Sequence, residues 1–320
     1  MYRKYLKTLE EWLQATTRKP MVVRGARQVG KTWLVRELAK KQNKYLIELN
    51  FEKNPSLVDL FSSNDVQAIL LGLEATLNKK ISVTESILFL DEIQVAPMLL
   101  AKLRWFFEDL PALAVIAAGS LLDFALAEHD FSMPVGRITY LYLQPLTFEE
   151  FLIATDRQQQ YEYLSNWQLE QKIPNVLHST LSRAVREYVL IGGLPEAINI
   201  WQEKKSFISV AQQQQDLLST YRDDFAKYTK RLNKEYLEEV LQATPNMLGQ
   251  KFKYSKVNNH AQSSTVKQAL DLLVTARIIH KIMACDVTGL PLKATTNQKM
   301  FKAILLDIGL TSALLKLTLQ

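Results

Sequence analysis

The most chemically loaded stretch of this sequence is Gly25-Ala26-Arg27-Gln28-Val29-Gly30-Lys31-Thr32, two glycines followed at once by a lysine and a hydroxyl residue. Its spacing, Gly-x4-Gly-Lys-Ser/Thr, is that of a phosphate-binding loop between a strand and a helix. Glycines let the backbone curl so that successive N–H groups face an anion. The helix that opens at Lys31 adds the positive end of its dipole. In this reading Gly25, Ala26, Arg27, Gln28, Val29, Gly30, Lys31, Thr32 and Trp33 form the nucleotide cradle. Lys31 reaches the β- and γ-phosphates, and the Thr32 hydroxyl binds Mg²⁺.

Such a loop needs an acid at the end of another buried strand. Asp91 closes the apolar run ILFLD and is expected to hold the Mg²⁺ shell. Glu92 follows directly and could polarise an attacking water, or merely cap a helix. Ser120 ends a further apolar run; it could hold that water near the γ-phosphate, or act as a helix N-cap. Arg137 could stabilise transition-state charge, from the same chain or a neighbouring one, or form a surface ion pair. Arg24 and Arg27 flank the loop and are expected on phosphate or on adjacent carboxylates.

These residues demand elements that bring them to one edge. Apolar segments at 21–24, 45–50, 87–90, 114–119 and 138–143 alternate with helical patterns at 31–41, 56–78, 99–108 and 121–128. That alternation predicts an α/β core, a parallel sheet with helices on both faces. Residues 3–17 predict an amphipathic helix with Tyr5, Leu6, Leu9, Trp12 and Leu13 inward. After Pro145 the pattern is helical to about Tyr228, interrupted at Gly192-Gly193-Leu194-Pro195. Beyond it, Leu237, Val240, Leu241, Met247 and Leu248 line one helix. A short segment at 254–260 and a helix with Val266, Ala269, Leu270, Leu273 and Val274 inward follow. Strands at RIIHKIMA and KMFKAILL complete a winged helix-turn-helix order.

Composition narrows the class. The chain has 320 residues, 48% hydrophobic and 22% charged, as folded proteins do. No run of 18 apolar residues suggests a membrane span, and no signal-peptide pattern opens the chain. A single cysteine, Cys285, excludes an intrachain disulfide and a cysteine-rich zinc site, which points to the cytoplasm. Cys285 is expected to be buried in the wing, and Trp12, Trp33, Trp105, Trp167 and Trp201 to anchor packing. His129, His178, His260 and His280 have no metal-ligand spacing. The net charge of +6 is unevenly spread: residues 221–320 hold 15 Lys and Arg against 8 Asp and Glu. That fits a domain meeting an anionic partner, or a solvated face.

The segments RGARQVGKTWL, LFLDEIQ, AAGSLLDFAL, VGRITYLYLQPLTFEEF, GGLPEA, YRDDFAKY and LLDIGL, in that order, resemble a large prokaryotic family of AAA-type ATP-binding proteins with a C-terminal domain of unknown function. The resemblance implies a P-loop NTPase core, an α-helical lid and a winged helix. It also implies nucleotide roles for Lys31, Thr32, Asp91 and Glu92 and strengthens Arg137 as a finger. Family members continue past the DIGL segment into a nuclease-like domain with an acidic metal site. Here the sequence stops at Gln320 with no acidic cluster, so nuclease activity is not expected of this chain.

Three regions are therefore expected: a P-loop ATPase core at 1–145, a helical lid or linker at 146–230 and a shortened winged-helix domain at 231–320. Ser263, Ser264, Thr265, Lys267 and Gln268 should face outward on the recognition helix. Lys251, Lys253 and Lys256 precede it, and Lys281, Lys293, Lys299 and Lys302 surround the wing. Lysines would bind DNA phosphate, and Gln and Ser would touch base edges; a lid or protein contact is the other use. The expected function is a Mg²⁺-dependent ATPase coupling ATP or ADP state to the later regions. The alternative is a nucleotide-gated DNA-binding or scaffold switch with little turnover, with a protein partner or self-association left open. A kinase would need an acceptor-site signature, and Asp91-Glu92 favours water as nucleophile instead.

Overall fold

The computed structural model describes residues 1–128, 134–228, 232–285 and 295–317. His129 and Lys293 lie outside the described residues, as does much of the turn between the last two strands. The chain divides into two compact units, residues 3–144 and residues 145–320, the latter joined by Met1 and Tyr2.

The first unit is built on five parallel strands: β1 (Met21–Arg24), β2 (Tyr45–Asn50), β3 (Ser86–Asp91), β4 (Ala114–Gly119) and β5 (Thr139–Tyr142). Their order across the sheet is β2-β3-β4-β1-β5. Every residue of β3 and β4 is buried, as expected where helices cover both faces. Val22, Leu49, Leu88, Leu90, Val115 and Ala117 share one core with the flanking helices. Each large aliphatic side chain buried there contributes ~1.5–3 kcal/mol by leaving water. Because the strands are parallel, β1, β3 and β4 all end on the same edge. β4 lies between the other two, so the segments after all three strands converge.

Local signals explain most boundaries. The first helix, Lys4–Gln14, buries Leu6, Leu9 and Trp12 but leaves Tyr5 and Leu13 half-buried. The single helix expected over 56–78 is instead a 3₁₀ helix, Pro55–Phe61, and an α-helix, Val66–Leu77. Pro55 favours the first start, and Asp65 makes the second by accepting a 2.9 Å hydrogen bond from the Gln67 N–H.

The second unit is mostly helical with one two-stranded antiparallel sheet, β6 (Ile279–Cys285) and β7 (Thr296–Leu305). Thr147 and Glu150 form a reciprocal capping box that starts the helix Phe148–Ala154. Helices Asn175–Ile191 and Pro195–Lys204 flank the Gly192–Leu194 turn. Three distant segments close around that turn. The buried Asp307 carboxylate accepts from the Gly193 N–H at 2.6 Å and from the Leu310 N–H at 3.1 Å. The Leu146 N–H donates to the Gly193 carbonyl at 2.6 Å, and the Tyr188 hydroxyl donates to the Leu146 carbonyl at 2.7 Å. Burial pushes the Asp307 pKa up to about 6 against the pull of its backbone donors.

Further along come helix Lys234–Asn246, a 3₁₀ turn at Tyr254–Lys256, helix Ser263–Thr275 and then β6 and β7. Val266, Ala269, Leu270 and Leu273 point inward and Ser263, Ser264, Lys267 and Gln268 outward. Two expectations fail here. Leu248 does not line the preceding helix, which ends at Asn246 just after Pro245 and leaves Leu248 exposed. Cys285 is exposed, because the two-stranded ribbon is buried at Ile279 and progressively uncovered toward its far end.

Candidate active site

β1 is short and apolar, and the chain leaves it at Gly25 with φ +155°. A Cβ there would lie 2.5 Å from the Leu143 carbonyl oxygen, so the loop can start this close to the segment after β5 only with glycine. Gln28 (φ 62°) and Gly30 (φ 94°) complete the curl. The helix Lys31–Lys41 then begins with no side chain capping it, which leaves its N-terminal N–H groups for an anion.

Lys31 is only 8% exposed. Its Nζ donates to the carbonyls of Ala26 at 2.8 Å and Gly25 at 3.1 Å. Burial pushes its pKa down to about 8, although Glu92 and Asp91 pull it up; Arg27 pushes it down further. An ammonium held this way is short of negative charge, the deficit a phosphate would fill.

The loop has a support that the sequence reading missed. Arg3, buried at the start of the first helix, donates to the Val29 carbonyl at 3.3 Å and to the Gln144 carbonyl at 2.5 Å. It ties the phosphate loop to the segment beyond β5. Pattern alone hid this role, since Arg3 falls in a stretch that reads as an amphipathic helix, where a cation is ordinarily on the surface.

Asp91 ends β3 and is 4% exposed. Thr32 donates its hydroxyl to Asp91 Oδ2 at 3.2 Å and lies 3.4 Å from Oδ1. Asn50, at the end of neighbouring β2, donates to Oδ2 at 3.3 Å. Burial raises the Asp91 pKa, Glu92 raises it further, and the Thr32 hydrogen bond opposes both. A carboxylate costly to bury and a hydroxyl beside it form a hard oxygen pair suited to Mg²⁺. Among the described residues no group of three or more His, Cys, Asp or Glu could hold a metal. One carboxylate and one hydroxyl are sufficient where phosphates and water supply the remaining oxygens.

Glu92 adopts a left-handed backbone (φ 53°), uncommon for a non-glycine residue. It precedes the 3₁₀ turn Ile93–Val95, but its carboxylate makes no capping bond. Instead Oε2 accepts from Gln94 Nε2 at 2.5 Å. Ser120 follows β4, and its Oγ is buried without a hydrogen-bond partner. It therefore does not act as the N-cap of the helix Leu122–Glu128.

Other expected residues go elsewhere. Arg137 donates to Glu108 Oε1 at 2.8 Å. It lies two residues before β5 and so sits at the edge where strands begin, opposite the phosphate loop. The four residues of β5 alone separate those edges by ~13 Å at ~3.3 Å per residue. Within one chain Arg137 is thus held in the surface ion pair that was one of its expected uses and is not brought to the cradle. Arg24 pairs with the Asp123 carboxylate at 2.7 Å and stacks over the Tyr140 ring. Arg27 is half-buried in the loop. Trp33 is 37% exposed and anchors no core, whereas Trp12 and Trp201 are buried.

Comparison with known proteins agrees with this architecture. Residues 17–152 match the AAA domain family, and residues 182–320 match a domain of unknown function. A Walker-type ATPase of Pyrococcus abyssi shares the fold, with a TM-score of 0.56 and 16% identity over 98% of this chain and 95% of that one. The ORC2 protein of Aeropyrum pernix aligns more loosely, with a TM-score of 0.44 and 12% identity over 98% of this chain and 94% of that one. No curated protein matches the chain.

Proposed function

We propose that this chain, which carries an AAA domain over residues 17–152, hydrolyses ATP with Mg²⁺ and uses the nucleotide state to control its second unit. The observation that carries the reading is the convergence of Lys31, Thr32, Asp91 and Glu92 at the shared ends of β1 and β3. Lys31 leaves its loop carbonyls for the phosphates. Thr32 and Asp91 would hold Mg²⁺, which when bound neutralises phosphate charge. Glu92 takes the proton of the attacking water, and Ser120 Oγ orients that water. The second unit comprises, in this reading, a helical lid region and a winged helix at its C-terminal end.

The deciding experiment follows phosphate release and nucleotide binding together. Lys31→Ala should lose binding. Glu92→Gln should bind ATP and fail to turn it over; wild-type hydrolysis by that variant would remove Glu92 as the base. A phosphorylated acceptor in place of free phosphate would make the chain a kinase.

The second reading, a nucleotide-gated DNA-binding or scaffold switch with little turnover, is favoured by the charge of the last hundred residues and by the exposed Ser263, Ser264, Lys267 and Gln268. Turnover with and without duplex DNA separates the two readings. No described helix is long and apolar enough to cross a membrane. Placement in a reducing cytoplasm belongs to the proposal and rests on the lone Cys285.

A further inference from the structure

Gln94 has no part in the chemistry above, yet it makes the hydrogen bond that holds Glu92. Its Nε2 donates to Glu92 Oε2 at 2.5 Å, two residues back across the 3₁₀ turn Ile93–Val95. A local loop this short closes at little entropic cost. The amide orientation follows from charge: the flipped form would set Oε1 against the carboxylate.

The other end of the amide is unsatisfied. Gln94 Oε1 is buried without a partner. It points at the end of β4, where a Cβ on Gly119 would lie 2.3 Å from it. A side chain at 119 would displace the Gln94 amide from this place. The next residue is Ser120, whose Oγ is also buried and unpartnered. The side chain is wedged between β4 and Glu92, with its oxygen against Gly119 and its Nε2 on the carboxylate. Glu92 itself stands on a strained backbone, which a local clamp helps to hold.

We propose that Gln94 is a positioning residue: it occupies Glu92 Oε2 and so presents Oε1 to the water whose proton Glu92 accepts. The inference rests on the assignment of Glu92 as the base of an ATPase. It adds that the aim of that base is set by β4 through Gln94, the same strand end that carries Ser120. A movement at Gly119–Ser120 would then turn the base as well as the water.

The test uses the full chain and reads ATP affinity against kcat. Gln94→Leu should lower kcat about 10- to 100-fold, the scale of a misaimed catalytic group, and leave ATP affinity within about twofold. Wild-type kcat in Gln94→Leu, with Glu92→Gln inactive, overturns the proposal and leaves the ATPase reading intact. Equal loss of ATP affinity and kcat overturns it as a merely structural role. If Gln94→Leu fails to fold, Gln94→Met, which keeps the length of the side chain and loses the donor, decides by the same comparison of kcat with ATP affinity, and wild-type kcat in it overturns the proposal. Wild-type turnover in Glu92→Gln would instead overturn the underlying assignment.

Discussion

Thr32 and Asp91 stand 59 positions apart in sequence, on segments following and ending two strands that do not touch, and are joined by a 3.2 Å hydrogen bond. β4 lies between those strands, yet the loop after β1 reaches back over its end. If this pair holds Mg²⁺ with the nucleotide, Asp91→Asn should remove most of the benefit that Mg²⁺ confers on ATP binding. The expected loss of metal-dependent affinity is about tenfold or more. Titrating ATP with and without Mg²⁺ in wild type and variant checks it; an undiminished Mg²⁺ effect contradicts the assignment.

Lys31 gives a pH signature. Its pKa in the folded chain is pushed down to about 8 from the usual 10.5. Between those values the ligand-free folded chain has released a proton that the unfolded chain retains, so stability rises with pH across that window. Bound phosphates favour the ammonium. ATP binding should therefore take up about one proton near pH 9 and almost none at pH 7, and affinity should fall above pH 8. Calorimetry in buffers of different ionisation enthalpy measures the uptake.

The same burial makes Lys31 a liability without ligand. Its displacement from the usual pKa corresponds to a net cost of roughly 3 kcal/mol at neutral pH, with burial the largest contribution. Lys31→Met should raise the thermal stability of the ligand-free chain while abolishing ATP binding, a trade of stability against function. Thermal unfolding with and without ATP tests both halves.

Asp307 has the opposite sign. Burial raises its pKa from 3.8 to about 6, so between about pH 4 and 6 the folded chain keeps a proton that the unfolded chain has lost. Stability from this group falls as pH rises through that window, by ~3 kcal/mol in all. Denaturant unfolding from pH 4 to 7 should show this slope in wild type and lose it in Asp307→Asn. Asp307→Ala, which orphans the Gly193 and Leu310 N–H groups, should cost about 2–4 kcal/mol.

Arg137 should be silent in isolated chains. Its guanidinium is on Glu108 at the far edge of the sheet, so Arg137→Ala should leave ATP binding and dilute turnover unchanged. A defect that appears only as protein concentration rises would assign it to a neighbouring copy's site.

Sequence by itself determined what depends on near neighbours. The loop from Gly25 to Thr32, the strand ending in Asp91, the turn at Gly192–Leu194 and the inward face of helix Ser263–Thr275 all follow from turn chemistry and apolar period. The α/β core with a helical second part was legible for the same reason. Only the tertiary structure decided what depends on strand order and on which atoms meet across it. It set β4 between β1 and β3, put Arg3 under the loop and wedged Gln94 against Gly119. It also left Arg137 on the opposite edge and Cys285 at an uncovered ribbon end. The physical reason is that pairing of parallel strands and closure of side chains over dozens of residues are selected by the packing of whole faces. No window of local sequence contains that information.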